Sequence, residues 1–476
     1  MRLRSLFQLF LLLTLQLPFA VASDRPGKAL GFDEAWQQAL LRSDFLAAEH
    51  SNSERARLLH EATRGLYFPR IDLAGSYTRL DGPVTLDGLA FNPLSGLADD
   101  PLGSGLIDLL GGPENFRTDL TDEHFGRVAL SAVWPIYTGG RITAIRNSRE
   151  AESLVANALL DAQRRILFEE LVRAYFGVSL AKVNLAIRRE AEEGLQKHLS
   201  NADKLLREGQ IARVERLSVA AALSRAEVAY LRAERELEIG RLTLNEILHE
   251  NSAVEPSDAL FINQALPAEA TFVQSMLANN PALLELQARG QEAESLLSAQ
   301  KGRFHPEVFA YADYELYKDD NIAFDLVPDW QVGIGVSFTL LDRIGRNRSI
   351  DAAHHAQEAV GHLERGARRI LTLAAGIAYR EAKQAIAEYQ GLESSLALAR
   401  ENLHLREKAF TQGLSTSVEL VDAQLFLSAV SVEQSLAAYR FVTALSRLLA
   451  LGGEMERFGN YQSTAWRAPE SGMDIK

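Results

Sequence analysis

The chain has 476 residues, with 50 Lys and Arg against 63 Asp and Glu, a formal net charge of -13 and no cysteine. That balance excludes a nucleic-acid binder that works through a basic face. The missing cysteine excludes disulfides, thiolate metal sites, a Cys nucleophile and a lipid-modified N-terminal Cys.

Residues 1–22 read as a secretory signal peptide. Arg2 and Arg4 precede the apolar run Leu6 to Leu17, and Ala20-Val21-Ala22 offers a small-x-small cleavage site before Ser23. Its removal would shift the net charge from -13 to about -15. No later stretch approaches the roughly 18 consecutive apolar residues of a membrane-spanning helix. An exported chain of this kind that enters a bilayer must do so as a β-barrel, the other structure that pairs every backbone group.

Residues 33–66 are Ala-rich and predict short helices ending before Pro69. Ile71, Leu73, Gly75 and Tyr77 then alternate with Asp72, Ala74, Ser76 and Thr78, the period of a strand. Asp81 to Asp122 is rich in Gly, Pro, Asp and Asn without sustained periodicity and reads as a long loop. A second strand follows over Gly126 to Trp134, with Val128, Leu130, Ala132 and Trp134 on one face. Arg141 to Arg207 is dominated by Ala, Leu, Glu, Arg and Gln, and apolar positions recur three and four apart (Leu154, Ala158, Phe168, Leu171, Tyr175, Val178). At about 1.5 Å per residue such a helix exceeds any single globular core and must pack as a coiled-coil pair. Gly209 is the expected C-cap, and a second helix of some 35 residues follows.

The plan then repeats. Residues 269–302 predict helices before Pro306, and Val308, Ala310, Ala312, Tyr314 and Leu316 form a strand pattern blurred by Phe309 and Tyr311. Trp330, Val332, Ile334, Val336, Phe338 and Leu340 alternate strictly with small or polar residues. Arg346 to Thr411 is the second long helix, Gly413 its C-cap, and another helix follows. All 14 prolines avoid the windows 136–255 and 329–468. Ala174-Tyr175, Gly209 and Val214-Glu215 recur as Ala378-Tyr379, Gly413 and Val418-Glu419, each 204 positions on. We therefore divide the mature chain into a first repeat at 23–254, a second at 255–453 and a polar tail at 454–476. Alternation of this kind also suits a half-buried sheet of a soluble domain. Strand pairs set between very long helices in an exported chain favour a lipid-facing role instead.

Taken in order and twice over, these landmarks resemble the TolC-like outer-membrane efflux family. The resemblance spans about Ala29 to Gly453. It rests on Gly31-Phe32-Asp33-Glu34-Ala35, Pro69 and Pro306, the turn Trp134-Pro135-Ile136-Tyr137-Thr138-Gly139-Gly140-Arg141, and the two glycine tips. It implies a mainly α fold with a membrane β-barrel. Long coiled-coil helical hairpins in two repeats would form a periplasmic α-barrel, and four strands per protomer would enter a 12-stranded trimeric β-barrel. It further implies a homotrimer in the Gram-negative outer membrane, in contact with its lipid and reaching into the periplasm. Its partners would be a periplasmic adaptor protein and an inner-membrane transporter. The function implied is passive conduction to the exterior in tripartite efflux or type I secretion, with no cofactor. The rival reading, a periplasmic coiled-coil adaptor, would show one long hairpin flanked by β-rich domains.

Candidate site residues follow. Glu419 and Asp422 share a helix face at i, i+3 and would line the periplasmic entrance, with Glu215 the first-repeat counterpart. Two acids near a helix N-terminus also suit its macrodipole. Gly209, Arg213, Gly413 and Ser415 would meet the adaptor. The family's basic residue and Tyr near the second tip are here Ser415 and Phe410, a departure from an Arg–Tyr closing network. Trp134, Trp330, Val332, Ile334, Val336 and Phe338 would face lipid, Trp134, Trp330 and Phe338 as interfacial aromatics or as ordinary packing. No His-Glu-x-x-His, Gly-x-Ser-x-Gly or phosphate-binding glycine loop is present. His354-His355 lies on a long helix without an acidic partner at metal spacing and reads as a solvated surface pair.

Overall fold

Two proline-free stretches of nearly equal length become the longest helices of the fold. A computed structural model describes residues 28–88, 100–340 and 345–467. The expected signal peptide and the last residues of the expected tail lie outside them. The elements are β1 (Lys28–Leu30), α1 (Phe32–Arg42), α2 (Asp44–Ala62), β2 (Arg70–Arg79), β3 (Val84–Asp87), α3 (Pro101–Leu109), β4 (Arg117–Thr121) and β5 (His124–Tyr137). Then come α4 (Arg141–Arg207), α5 (Arg213–Leu248), β6 (Val254–Pro256), β7 (Phe261–Ile262), α6 (Glu269–Asn279), α7 (Pro281–Gly302) and β8 (Glu307–Lys318). The chain ends through α8 (Ile322–Asp325), β9 (Trp330–Ser337), α9 (Arg346–Thr411), α10 (Ser417–Gly452), α11 (Phe458–Ser463) and β10 (Trp466–Arg467). The helices α4 and α5 have 67 and 36 residues, and α9 and α10 have 66 and 36, so the duplication seen in the sequence is also one of helix length.

The chain divides into two compact units. Among the described residues the first holds 28–44, 165–272 and 375–467. Its core is aromatic: Phe32, Phe168, Tyr175, Phe176, Phe261 and Phe458 meet mostly edge to face at 4.8–6.0 Å between centroids. Gly31, the N-cap of α1, has no side chain to cap the helix. Asp258, from 226 residues away, accepts from Phe32 N at 2.7 Å and from the Tyr175 hydroxyl at 2.9 Å. Short pairs β1–β6 and β7–β10 close this region.

The expected polar tail needs correction here. Residues 455–457 form a 3-10 turn, α11 follows, and Phe458 is 1% exposed within the aromatic core. Three scattered aromatics, Phe458, Tyr461 and Trp466, leave no sustained periodicity to read, yet the burial of Phe458 and Tyr461 docks the segment.

The second unit holds Phe45–Arg164 and Val273–Ala374. The strands β2, β5, β8 and β9 form one antiparallel sheet in that order. Pro135, which has no amide to donate, sits in β5 where its register against β8 shifts, the place a strand tolerates proline. Asn280 caps α7 by accepting from Ala282 N at 3.1 Å, and Pro281 starts that helix, which splits the expected 269–302 into two. The expected loop Asp81–Asp122 also needs correction: outside residues 89–99, which are not described, it contains β3, α3 and β4. These elements are too short and glycine-rich for a periodic signal. The strand expected to reach Leu340 stops at Ser337, so Phe338 lies beyond it.

Candidate functional site

The sheet builds the first part of the site by register. Leu73 pairs with Leu130, Leu130 with Tyr314 and Tyr314 with Trp330. Beside that row, Ile71, Ala132, Ala312 and Val332 pair in turn, and Trp134, Ala310 and Ile334 form a third. Directly paired residues share a face, so one face is apolar across all four strands. Trp330, Val332, Ile334 and Val336 on it are all more than 60% exposed. The row between them on the other face is Asp72, Ser131, Asp313 and Gln331, where Gln331 donates to Asp313 at 2.8 Å. Arg127 pairs with Glu315 in the neighbouring polar layer.

The blurred alternation of β8 has a cause. Phe309 and Tyr311 stand opposite Gly335 and Gly333, and a Cβ on either glycine would come within 2.5 or 2.6 Å of those rings. The glycines are spaces that the aromatics fill from the next strand.

The second part is the pair of helix tips in the first unit. Gly209 and Gly413 have φ of 73° and 71°, the left-handed conformation that ends α4 and α9, and no atom would meet a Cβ at either. Thr416 caps α10 in a full capping box: its hydroxyl accepts from Glu419 N, and Glu419 accepts from Thr416 N at 3.1 Å. Ser415 donates to the same carboxylate at 2.7 Å, and Arg406 reaches it at 2.9 Å. The Ser415 hydroxyl first, then the Thr416 amide, hold the Glu419 carboxyl below its usual range. Glu215 is turned to the other tip and accepts from Ser417 N at 3.3 Å. Asp422 and Arg213 are exposed and make no hydrogen bond or ion pair among the described residues.

Of the residues expected at the entrance, Glu419 and Glu215 thus have tasks in the local structure and Asp422 has none. Sequence reasoning missed His198, 5% exposed on α4. Its ring stands edge-on to Phe410 with centroids 4.4 Å apart, and Nε2 lies 3.4 Å from the Ser417 carbonyl. The signal was available: Ala191, Leu195, His198 and Ala202 follow the 4-3-4 spacing of a coiled-coil seam.

His354 and His355 are an exposed pair, and Glu358, one helical turn on, stands 3.5 and 2.9 Å from their Nδ1 atoms. Among the described residues no group of three such side chains is arranged to hold a metal. No helix of the described residues is long and apolar enough to cross a membrane.

Comparison with known proteins agrees with this geometry. The outer membrane protein VceC of Vibrio cholerae superimposes with a TM-score of 0.72 at 15% identity, covering 89% of this chain and 96% of that one. The open-state MtrE outer membrane channel of Neisseria gonorrhoeae gives 0.70 at 17% identity, over 89% of both chains. CusC, whose structures concern transmembrane channel formation, gives 0.71 at 16%, over 88% of this chain and 91% of that one. At these identities the likeness establishes a shared, mainly helical fold. No curated protein matches by sequence. The family model described as outer membrane efflux protein matches residues 35–249 and 272–454, taking in both repeats. A chain matched over most of its length by that model, with the fold to go with it, belongs to the outer membrane efflux protein family and is an outer-membrane protein.

Proposed function

We propose that this chain is one protomer of a trimeric exit duct. It passively conducts cargo that an inner-membrane transporter delivers through a periplasmic adaptor. The observation that carries the reading is the four-stranded sheet with one continuous apolar face and a polar face behind it, its outer strands β2 and β9 unpaired on one side among the described residues. Open, apolar sheet edges are an invitation to further pairing. Four strands fall short of the roughly eight that the smallest known barrels need, and three copies would supply twelve. The paired long helices of each repeat then form hairpins that extend the duct into the periplasm, with the tips at its entrance. In this arrangement Gly209, Arg213, Gly413 and Ser415 meet the adaptor.

The entrance charge rests chiefly on Asp422, because Glu419 is committed to its cap and Glu215 to Ser417. Like charges repeated around an axis concentrate cations and create sites for multivalent ones. The duct is tested by light scattering of the detergent-solubilised mature protein and by planar-bilayer recording. The expected result is a trimer whose cation-selective current is blocked by a trivalent cation from the periplasmic side only. Asp422→Ala should relieve that block and leave assembly intact. A monodisperse, water-soluble monomer would end the reading. Topology is tested separately by an epitope tag at Gly112, expected to be labelled on intact cells. Labelling only after the outer membrane is permeabilised would invert the strands.

A further inference from the structure

The seam joining the two repeats carries buried polar side chains that α5 does not bring to the seam within the first repeat. Leu195 and Ala202 of α4 pack with Val219, Ala222, Leu223 and Ala226 of α5 in one apolar cluster, which Val421 of α10 joins. Where α4 meets α10, the buried residues of α10 at seam spacing are Ser417, Val421, Gln424 and Ser428. Arg188 donates to Ser428 at 3.4 Å, and Gln424 fills the space left by Gly194, where a Cβ would lie 2.8 Å from its amide oxygen. His198 closes this polar seam at the tip against Ser417.

Two buried polar atoms there have no partner among the described residues: His198 Nδ1 and Ser417 Oγ. With its proton on Nε2 the imidazole can donate to the Ser417 carbonyl and leave a bare lone pair on Nδ1. A second proton would sit on that buried nitrogen with no acceptor and bring a charge into an unpaired site.

We propose that His198 is a proton-operated latch between the two repeats at the entrance: neutral, it seats α10 on α4, and protonated, it releases the α10 tip. This rests on the reading that the tips form the duct entrance. The surrounding charges are already engaged. Glu215 of α5 holds Ser417 N, Glu419 of α10 is tied to Arg406 of α9, and Asp203 of α4 is paired with Arg216 of α5 at 2.9 Å. Burial, the larger cause, lowers the affinity of His198 for a proton, and the hydrogen bond to the Ser417 carbonyl opposes it. A buried histidine with depressed proton affinity favours the seated state at high pH. That preference begins to fade as pH falls through the ordinary imidazole value and is lost below the depressed one.

The test is open probability of the purified wild-type channel in planar bilayers between pH 8 and 5, beside His198→Gln and His198→Phe. Release at each of the three tips should be favoured by up to about tenfold per pH unit between the ordinary imidazole value and the depressed one, since one proton per site sets that limit, and a duct that needs all three tips released should open more steeply. Both variants should lose this step and stay closed. Histidine C2-hydrogen exchange, followed by mass spectrometry on the wild type, reads the titration without relying on a variant to fold. A midpoint at or above the ordinary imidazole value overturns the latch. So does a channel that conducts but opens equally at pH 8 and 5, which leaves the exit duct standing. A protein that never forms channels overturns both.

Discussion

The two helix tips share a glycine turn and differ in how the next helix begins. After Gly413 the start of α10 satisfies itself, through Thr416, Glu419, Ser415 and Arg406. After Gly209 the N-cap of α5 is Ala212, which has no side-chain oxygen to offer, and the acid in its first turn, Glu215, reaches across to Ser417 of the other tip. One tip thus carries its own cap, and the other lends its carboxylate to its counterpart. Equivalent sequence positions, Glu215 and Glu419, carry different loads because the residue three before them differs. A repeat preserves the path of the chain more strictly than the duties of its side chains.

Four changes can break or sharpen this contrast. Gly209→Ala and Gly413→Ala should cost alike, about 1–2 kcal/mol each for an L-residue held in the left-handed region, because neither site offers a new contact. Thermal unfolding of the two variants checks the equality, and a large difference would mean that one turn is set by something other than backbone. Thr416→Ala should cost about 1 kcal/mol through its lost cap, and hydrogen exchange should quicken at the start of α10 alone. Ala212→Ser should act in the opposite sense, stabilising the start of α5 by about 0.5 kcal/mol. No gain there would show that the first tip is already satisfied through its neighbour. The smallest effect is on pH. The Glu419 carboxyl is held below its usual range by Ser415 and Thr416, so its cap is present above the ordinary carboxylate value and is lost as pH falls through the lowered one. Exchange protection at Ser417–Leu420 should follow that course, while the start of α5 should not.

Much of the fold was legible because helix and strand leave different periods. The limits of α4 and α9, Arg141–Arg207 and Arg346–Thr411, are those read from proline-free composition and the glycines beyond them. Strand β9 was legible through strict alternation but overrun, since alternation persists through Phe338 and Leu340 after pairing with β8 has ended. The short elements β3, α3 and β4 were not legible, because they are brief and set in a glycine-rich segment, and β4 leans on α8 far along the chain. At the tips, sequence supplied the residues without their assignments. Whether Glu419 serves a cap or a pore depends on the rotamers of Thr416, Ser415 and Arg406. His198 was hidden by the habit of reading only apolar residues into a seam.

The account stands most directly on the face of the sheet, and the absence of cysteine from the chain makes a clean test possible. Single cysteines placed at 330, 331, 332, 334, 336 and 337 in turn, which spares the two glycines that the Phe309 and Tyr311 rings fill, in protein reconstituted into liposomes, can be challenged with a membrane-impermeant maleimide and with a lipid-soluble one. Positions 330, 332, 334 and 336 should react with the lipid-soluble reagent and resist the impermeant one, while 331 and 337 should show the reverse. Uniform reaction of all six positions with the impermeant reagent would contradict a lipid-facing strand and with it the duct.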